Sequence, residues 1–77
     1  MEISYQAQLA LGNTESPLPM IQTKEVLDLL SQGEVVKISV ERESAVNNIK
    51  TLIANNPYEL IKLSKEQNQY VLFVKKL

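Results

Sequence analysis

A short segment that places a serine between a turn and two prolines is the strongest candidate for chemistry. It reads Ser16-Pro17-Leu18-Pro19, and Gly12 precedes it. Gly12 permits a positive φ, and Ser16 followed by Pro17 is typical of a helix N-cap with proline at the first helical position. We therefore predict that Ser16 caps a helix, and that its hydroxyl accepts from the Leu18 N–H because Pro19 has none.

The same segment is poorly suited to hydrolysis or to phosphate binding. A serine nucleophile needs a neighbouring base, and the sequence contains no histidine. Lysines and carboxylates are present, but none forms a recognised motif with Ser16. Pro17 and Pro19 also remove N–H donors from the first turn of the helix, which weakens any anion site there. The residues by themselves thus favour a structural role for Ser16.

Length and composition suit a single domain over residues 1–77. The chain has 77 residues, 44% of them hydrophobic, and contains no cysteine. Without thiolate or imidazole ligands we predict no metal and no cofactor. Glu41, Arg42 and Glu43 are interpreted as charges at a helix start, since three adjacent side chains do not converge on a metal. No secretory signal or membrane span is evident, and we expect a cytoplasmic protein with no membrane partner.

Charge is distributed unevenly along the chain. The net charge is −1 at pH 7, which disfavours nucleic-acid binding. Residues 44–77 are nevertheless basic, with five lysines against Glu59 and Glu66. A small RNA-binding domain that uses this half is one alternative, although solvated surface charge explains the pattern equally well.

Alternating residues predict a strand on each side of the first helix. The first runs from Glu2 to Leu9, and its expected core face is Ile3, Tyr5, Ala7 and Leu9. The second covers residues 34–40. Its expected core face is Val36, Ile38 and Val40, and its expected solvent face is Val35, Lys37 and Ser39.

Two amphipathic helices are predicted from apolar residues at helical spacing. The first spans roughly residues 17–31 and ends near Gly33, a plausible C-cap. Its apolar stripe is Met20, Thr23, Val26, Leu27, Leu29 and Leu30. The second is capped by Ser44 and stops before Pro57. Its apolar face is Ala45, Val46, Ile49, Leu52 and Ile53.

Two final strands, over residues 58–63 and 69–75, complete the order βαβαββ. The loop between them is short enough for an antiparallel hairpin, and the strand-helix-strand unit predicts that the first two strands are parallel. The predicted fold is an α/β (α+β) two-layer sandwich, a four-stranded mixed sheet with two helices on one face. The last strand is apolar on both sides, which fits either a central strand or a protein docking surface, and we favour the central strand.

This framework resembles the TusA/SirA/YedF-like sulfur-carrier family. The resemblance rests on Leu11-Gly12, on Ser16-Pro17-Leu18-Pro19 and on Gly33-Glu34 at the start of a strand. Family members have a Leu-Gly turn, a Cys-Pro-x-Pro motif at the start of the first helix and a βαβαββ sandwich. The resemblance implies that Gly12, Ser16, Pro17 and Pro19 are the motif residues, with Ser16 at the cysteine position. Leu9 and Ala10 stand where members often have an acidic residue.

The resemblance also implies a function and a partner. Members carry sulfur as a persulfide on the motif cysteine, receive it from a cysteine desulfurase and pass it toward tRNA thiolation or other sulfur metabolism. Relatives are linked to selenium metabolism. The implied partner is therefore a cysteine desulfurase or another sulfur-relay protein. Because serine cannot hold a persulfide, no catalytic residue is assigned and an enzyme is not predicted.

Two functions follow from this resemblance. The first is a TusA-like domain without carrier chemistry, acting as an interaction or regulatory module in sulfur or selenium metabolism. The second is an active sulfur carrier in which Ser16 is an engineered replacement of a native cysteine. The sequence is compatible with both functions.

Overall fold

The computed structural model describes residues 3–77 of the chain. Six elements follow one another in the expected order βαβαββ. They are β1 (Ala7–Gly12), α1 (Leu18–Leu29), β2 (Val35–Val40), α2 (Glu43–Ala54), β3 (Tyr58–Glu66) and β4 (Gln69–Lys76). Within this part of the chain, neither helix is long and apolar enough to cross a membrane.

The four strands form one mixed sheet in the order β1-β2-β4-β3. β1 runs parallel to β2, as the strand-helix-strand unit predicts, and β4 pairs antiparallel with both β2 and β3. Side chains of α1 and α2 share one hydrophobic core with inward-facing residues of the sheet. The two-layer sandwich with a mixed sheet is therefore confirmed.

The two central strands have buried side chains on both faces. Val36, Ile38 and Val40 of β2 are fully buried in the core, as predicted, and each such side chain contributes about 1.5–3 kcal/mol through burial. Val35, however, was expected to face solvent and is only 7% exposed. Val71 of β4 is also buried on that second face. Both strands are central, so side chains of two neighbouring strands pack beside these residues on the same face.

The first strand begins later than predicted and changes the assignment of two side chains. The chain bends at Gln6, whose N–H donates to the Val35 carbonyl at 2.9 Å and whose side-chain oxygen accepts from the Val35 N–H at 2.8 Å. After this bend Ala7 and Leu9 pack against the core, as predicted. Before it, Ile3 and Tyr5 line the opposite face of the sheet. Their predicted core position is therefore wrong, and the predicted strand start at Glu2 lies outside the described residues.

The helix and hairpin boundaries also differ from the predictions. α1 ends at Leu29, which is 87% exposed and was wrongly included in the apolar stripe. Gly33, with φ of +87°, lies in the Ser31–Glu34 turn and does not cap the helix. α2 begins at Glu43 after Arg42, so Ser44 lies inside the helix and is not its cap. In the hairpin, β3 extends to Glu66 and leaves a two-residue turn.

Candidate functional site

The predicted motif lies in the connection from β1 to α1. Gly12 is the last residue of β1 and has φ of +53°, a backbone conformation that residues other than glycine rarely adopt. Its carbonyl accepts the Glu41 N–H at 2.7 Å, which joins the end of β1 to the residue after β2. A substitution at Gly12 would therefore be strained by its backbone angle, even though the nearest atom to an added Cβ, a Glu41 oxygen, is 3.6 Å away.

Arg42 holds the loop that follows Gly12. Its Nε donates to the carbonyl of Asn13 at 3.2 Å and to the side-chain oxygen of Asn13 at 2.7 Å. Its Nη2 also lies 3.5 Å from a carboxylate oxygen of Glu15. These groups are largely exposed, so the ion pair contributes about 0–1 kcal/mol, and the hydrogen bonds chiefly orient the loop.

Ser16 does not cap α1. Pro17 occupies the N-cap position, no side chain caps the helix, and the peptide bond between Ser16 and Pro17 is cis. The Leu18 N–H, the predicted partner of the Ser16 hydroxyl, instead donates to the Glu15 carbonyl at 3.1 Å. The helix begins one residue later than predicted, which leaves Ser16 outside it as an exposed side chain.

The first turn of α1 has its N–H groups already in use. The Met20 N–H donates to the side-chain oxygen of Asn48 at 3.1 Å, and the Ile21 N–H donates to the Pro17 carbonyl at 3.2 Å. Pro19 is buried and has no N–H. An anion placed here would have to displace one of these bonds, which supports the expectation that phosphate binds poorly.

The arrangement offers Ser16 little help toward nucleophilic chemistry. The carboxylate beside it in sequence, Glu15, is directed toward Arg42. A hydroxyl needs a base within hydrogen-bond reach to become a nucleophile, and a thiol at this position would need no such base to form a thiolate. The site therefore presents the exposed Ser16 hydroxyl on a loop that Arg42 holds through hydrogen bonds to Asn13.

The sequence patterns did not predict that Arg42 and Asn48 hold this site through hydrogen bonds. Arg42 was interpreted only as a charge before the second helix, and Asn48 was not singled out at all. The available signal for Asn48 was a polar residue beside the apolar face of an amphipathic helix, three positions after Ala45. No local pattern indicated that Arg42 contacts Asn13, because the two residues are far apart in sequence.

Comparisons with known proteins agree with the fold and identify the family. The family model described as Sulfurtransferase TusA matches residues 8–76. A protein of Methanocaldococcus jannaschii named "Putative sulfur carrier protein" is 28% identical over 60 residues, which cover 78% of this chain and 80% of that protein. The crystal structure of a SirA-like protein from Desulfitobacterium hafniense superposes with a TM-score of 0.78 at 18% identity, covering 91% of this chain and 95% of that one. The chain belongs to the TusA family.

Proposed function

We propose that this TusA-family protein has no carrier chemistry of its own and acts in the cytoplasm as an interaction or regulatory module in sulfur or selenium metabolism. The observation that carries the proposal is that the sequence contains no cysteine at all, and Ser16 stands where the family resemblance implies the motif cysteine. Gly12, Pro17 and Pro19 of the motif are retained around it.

A serine hydroxyl and a cysteine thiol differ in their ability to carry sulfur. A persulfide forms when a cysteine thiolate accepts a sulfur atom, and thiol exchange later transfers that atom onward. The Ser16 hydroxyl is a far weaker acid and has no corresponding sulfur chemistry. The protein is therefore expected to bind where a carrier binds without accepting sulfur.

An apolar flank beside Ser16 supports binding to a protein partner. Leu18 and Ile21 follow Ser16 on α1 and are 49% and 46% exposed. Exposed apolar side chains next to a functional position are typical of protein contact surfaces. The partner implied by the family is a cysteine desulfurase or another sulfur-relay protein.

Sulfur loading tests the absence of carrier chemistry. We expect incubation with a cysteine desulfurase and cysteine to leave the intact mass of the protein unchanged. Ser16→Cys is the matched control, because it restores the missing thiol, and it should gain the mass of one sulfur atom. It should also fold normally, with a free energy of unfolding within about 1 kcal/mol of the parent, because Ser16 is exposed and caps nothing. A sulfur adduct on the parent protein would contradict the proposal.

Competition tests the interaction role. An excess of the parent protein should slow sulfur transfer from the desulfurase to the Ser16→Cys variant, because both present the same surface to the enzyme. Leu18→Asp in the parent places a charge on the apolar flank and should abolish this inhibition. Unchanged transfer in the presence of the parent would show that it does not occupy the desulfurase.

An active carrier with an engineered Ser16 is the second candidate function. The name of the Methanocaldococcus jannaschii relative favours it, since that protein is described as a sulfur carrier. The codon at position 16 of the native gene distinguishes the two functions. A serine codon supports the module, and a cysteine codon supports the carrier.

A further inference from the structure

The sheet face turned away from the helices contains a depression of about 300 Å³. Tyr5, Lys37, Lys62, Ser64, Glu66 and Phe73 contribute to its lining. This face lies opposite the core, since Lys37 and Phe73 alternate with buried neighbours along β2 and β4. The depression is therefore separate from Ser16 and from the α1 flank.

Two aromatic rings form one wall of this depression. The ring centroids of Tyr5 and Phe73 are 6.0 Å apart, and the ring planes are inclined by 54°. Tyr5 belongs to the segment before β1 and remains 41% exposed, so its ring is not required to complete the core. Tilted, partly exposed rings on a sheet surface provide a face on which a planar ligand can stack.

Two lysines flank Phe73 on the neighbouring strands of the sheet. Lys37 of β2 and Lys62 of β3 both pair with Phe73 of β4, so the three side chains form a row across adjacent strands. The outer two Cα atoms are thus roughly 10 Å apart, a distance that two lysine side chains can bridge. The Lys37 ammonium lies 5.5 Å from the centre of the Tyr5 ring. In residues 3–77 neither lysine forms a salt bridge, which leaves both ammonium groups available to an anion.

Polar atoms at the edge of the depression add a second kind of contact. The Ser64 hydroxyl lies 3.5 Å from a carboxylate oxygen of Glu66, and both side chains line the cavity. The Glu66 carboxylate is an acceptor for an amino group carried by a ring. The cavity thus combines a stacking surface, two cations and one acceptor in a volume at the lower end of small-ligand sites.

We propose that this depression binds a mononucleotide, with its base against Tyr5 and Phe73 and its phosphate between Lys37 and Lys62. A free nucleotide and one unit of a single strand share this chemistry. The net charge of −1 favours the free nucleotide, because a strand also needs a basic track for its neighbouring phosphates. The inference does not depend on the role of Ser16.

Titration with adenosine monophosphate, followed by NMR of backbone amides, tests the proposal. We expect saturable shifts centred on Lys37, Lys62 and Phe73, with much weaker binding of adenosine and of inorganic phosphate, since each lacks one half of the ligand. Equal binding of adenosine or of phosphate alone would overturn the proposal. An adenosine oligonucleotide that binds much more tightly than the mononucleotide, with a steep salt dependence, would overturn it in favour of a strand-binding surface.

Matched variants connect the binding to the named side chains. Lys62→Gln should weaken adenosine monophosphate binding about tenfold, the weight of one charge-assisted hydrogen bond. Lys50→Gln makes the same charge change at an exposed position of α2 and should leave binding unchanged. Tyr5→Ala, outside the strands, should also weaken binding and leave amide shifts in the helices unaffected. Equal effects of Lys62→Gln and Lys50→Gln, or no effect of Tyr5→Ala, would refute the site.

Discussion

At the scale of single residues, an asparagine of α2 accepts a first-turn N–H of α1, whereas Ser16, the predicted acceptor, accepts none. The side-chain oxygen of Asn48 accepts the Met20 N–H at 3.1 Å, and its amide nitrogen lies 3.9 Å from the Met20 sulfur. This contact satisfies a first-turn donor of α1 and joins the two helices at the end where Ser16 lies. The motif loop therefore depends on α2 for its position.

Replacement of Asn48 should measure the contribution of this hydrogen bond. We expect Asn48→Ala to be less stable than Asn47→Ala by about 1 kcal/mol, because only the first leaves the Met20 N–H without its acceptor. The neighbouring, exposed Asn47 is the matched control, since both substitutions bring the same gain in helix propensity. Urea unfolding followed by circular dichroism gives the difference. Equal stabilities would mean that the Asn48 contact contributes nothing.

The residue scale is also where sequence reasoning was least successful. Ser16 and Ser44 both have the residue type of an N-cap, yet each lies one position or more from the cap that the backbone forms. Capping depends on local φ and ψ angles, which residue type alone does not determine. Gly12 was identified correctly as a residue that needs a positive φ, because few other residues adopt that angle.

At the scale of elements, the predicted apolar face of α1 was too wide, because it included the exposed Leu29. Leu27 is fully buried whereas Leu29, two positions later, is 87% exposed. The two lie on different sides of the helix, since adjacent positions rotate by about 100°. Only Leu27 belongs to the core cluster, with Val26 and Leu30 at its margin.

A pair of substitutions on α1 tests this orientation. Leu27→Ala should lower the free energy of unfolding by about 2–5 kcal/mol, because it leaves a cavity in the core. Leu29→Ala should change it by less than about 0.5 kcal/mol. Both variants lose the same atoms from the same helix, and thermal or urea unfolding compares them. A large loss from Leu29→Ala would indicate that α1 packs through a different face.

At the scale of the whole molecule, a polar cluster joins α1 to the start of β3. The Tyr58 hydroxyl lies 3.5 Å from Asp28, which also pairs with Lys24 at 3.1 Å. Burial raises the pKa of Tyr58 above 10.0, Lys24 partly offsets this, and Asp28 adds to it. The hydrogen bond to Asp28, together with its charge, raises the pKa of the Lys24 ammonium. Both groups therefore hold their protons more tightly in the folded state.

The sign of these shifts predicts a loss of stability in alkali. The contribution of Tyr58 is fully present below its ordinary pKa of 10.0 and is lost as the pH rises through the higher folded value. Tyr58→Phe removes the titrating hydroxyl and should flatten the decline in unfolding free energy above that pH. Lys24→Gln removes a charge that lowers the pKa of Tyr58, so it should not flatten the decline. Urea midpoints measured across the alkaline range provide the comparison, and an unchanged slope in Tyr58→Phe would contradict the assignment.

The order of the elements, the core-facing residues Val36, Ile38 and Val40 and the apolar face of α2 could all be predicted from the sequence. These features rest on periods of two and 3.6 residues and on short motifs, which are local. Tertiary contacts instead determine that Tyr5 joins the outer face of the sheet, that Val35 is buried and that Asn48 accepts the Met20 N–H. Each of those outcomes depends on a neighbouring strand or helix distant in sequence, and no local pattern specifies that neighbour. For Ser16, the sequence predicted a helix cap, whereas the structure leaves the residue exposed before the helix.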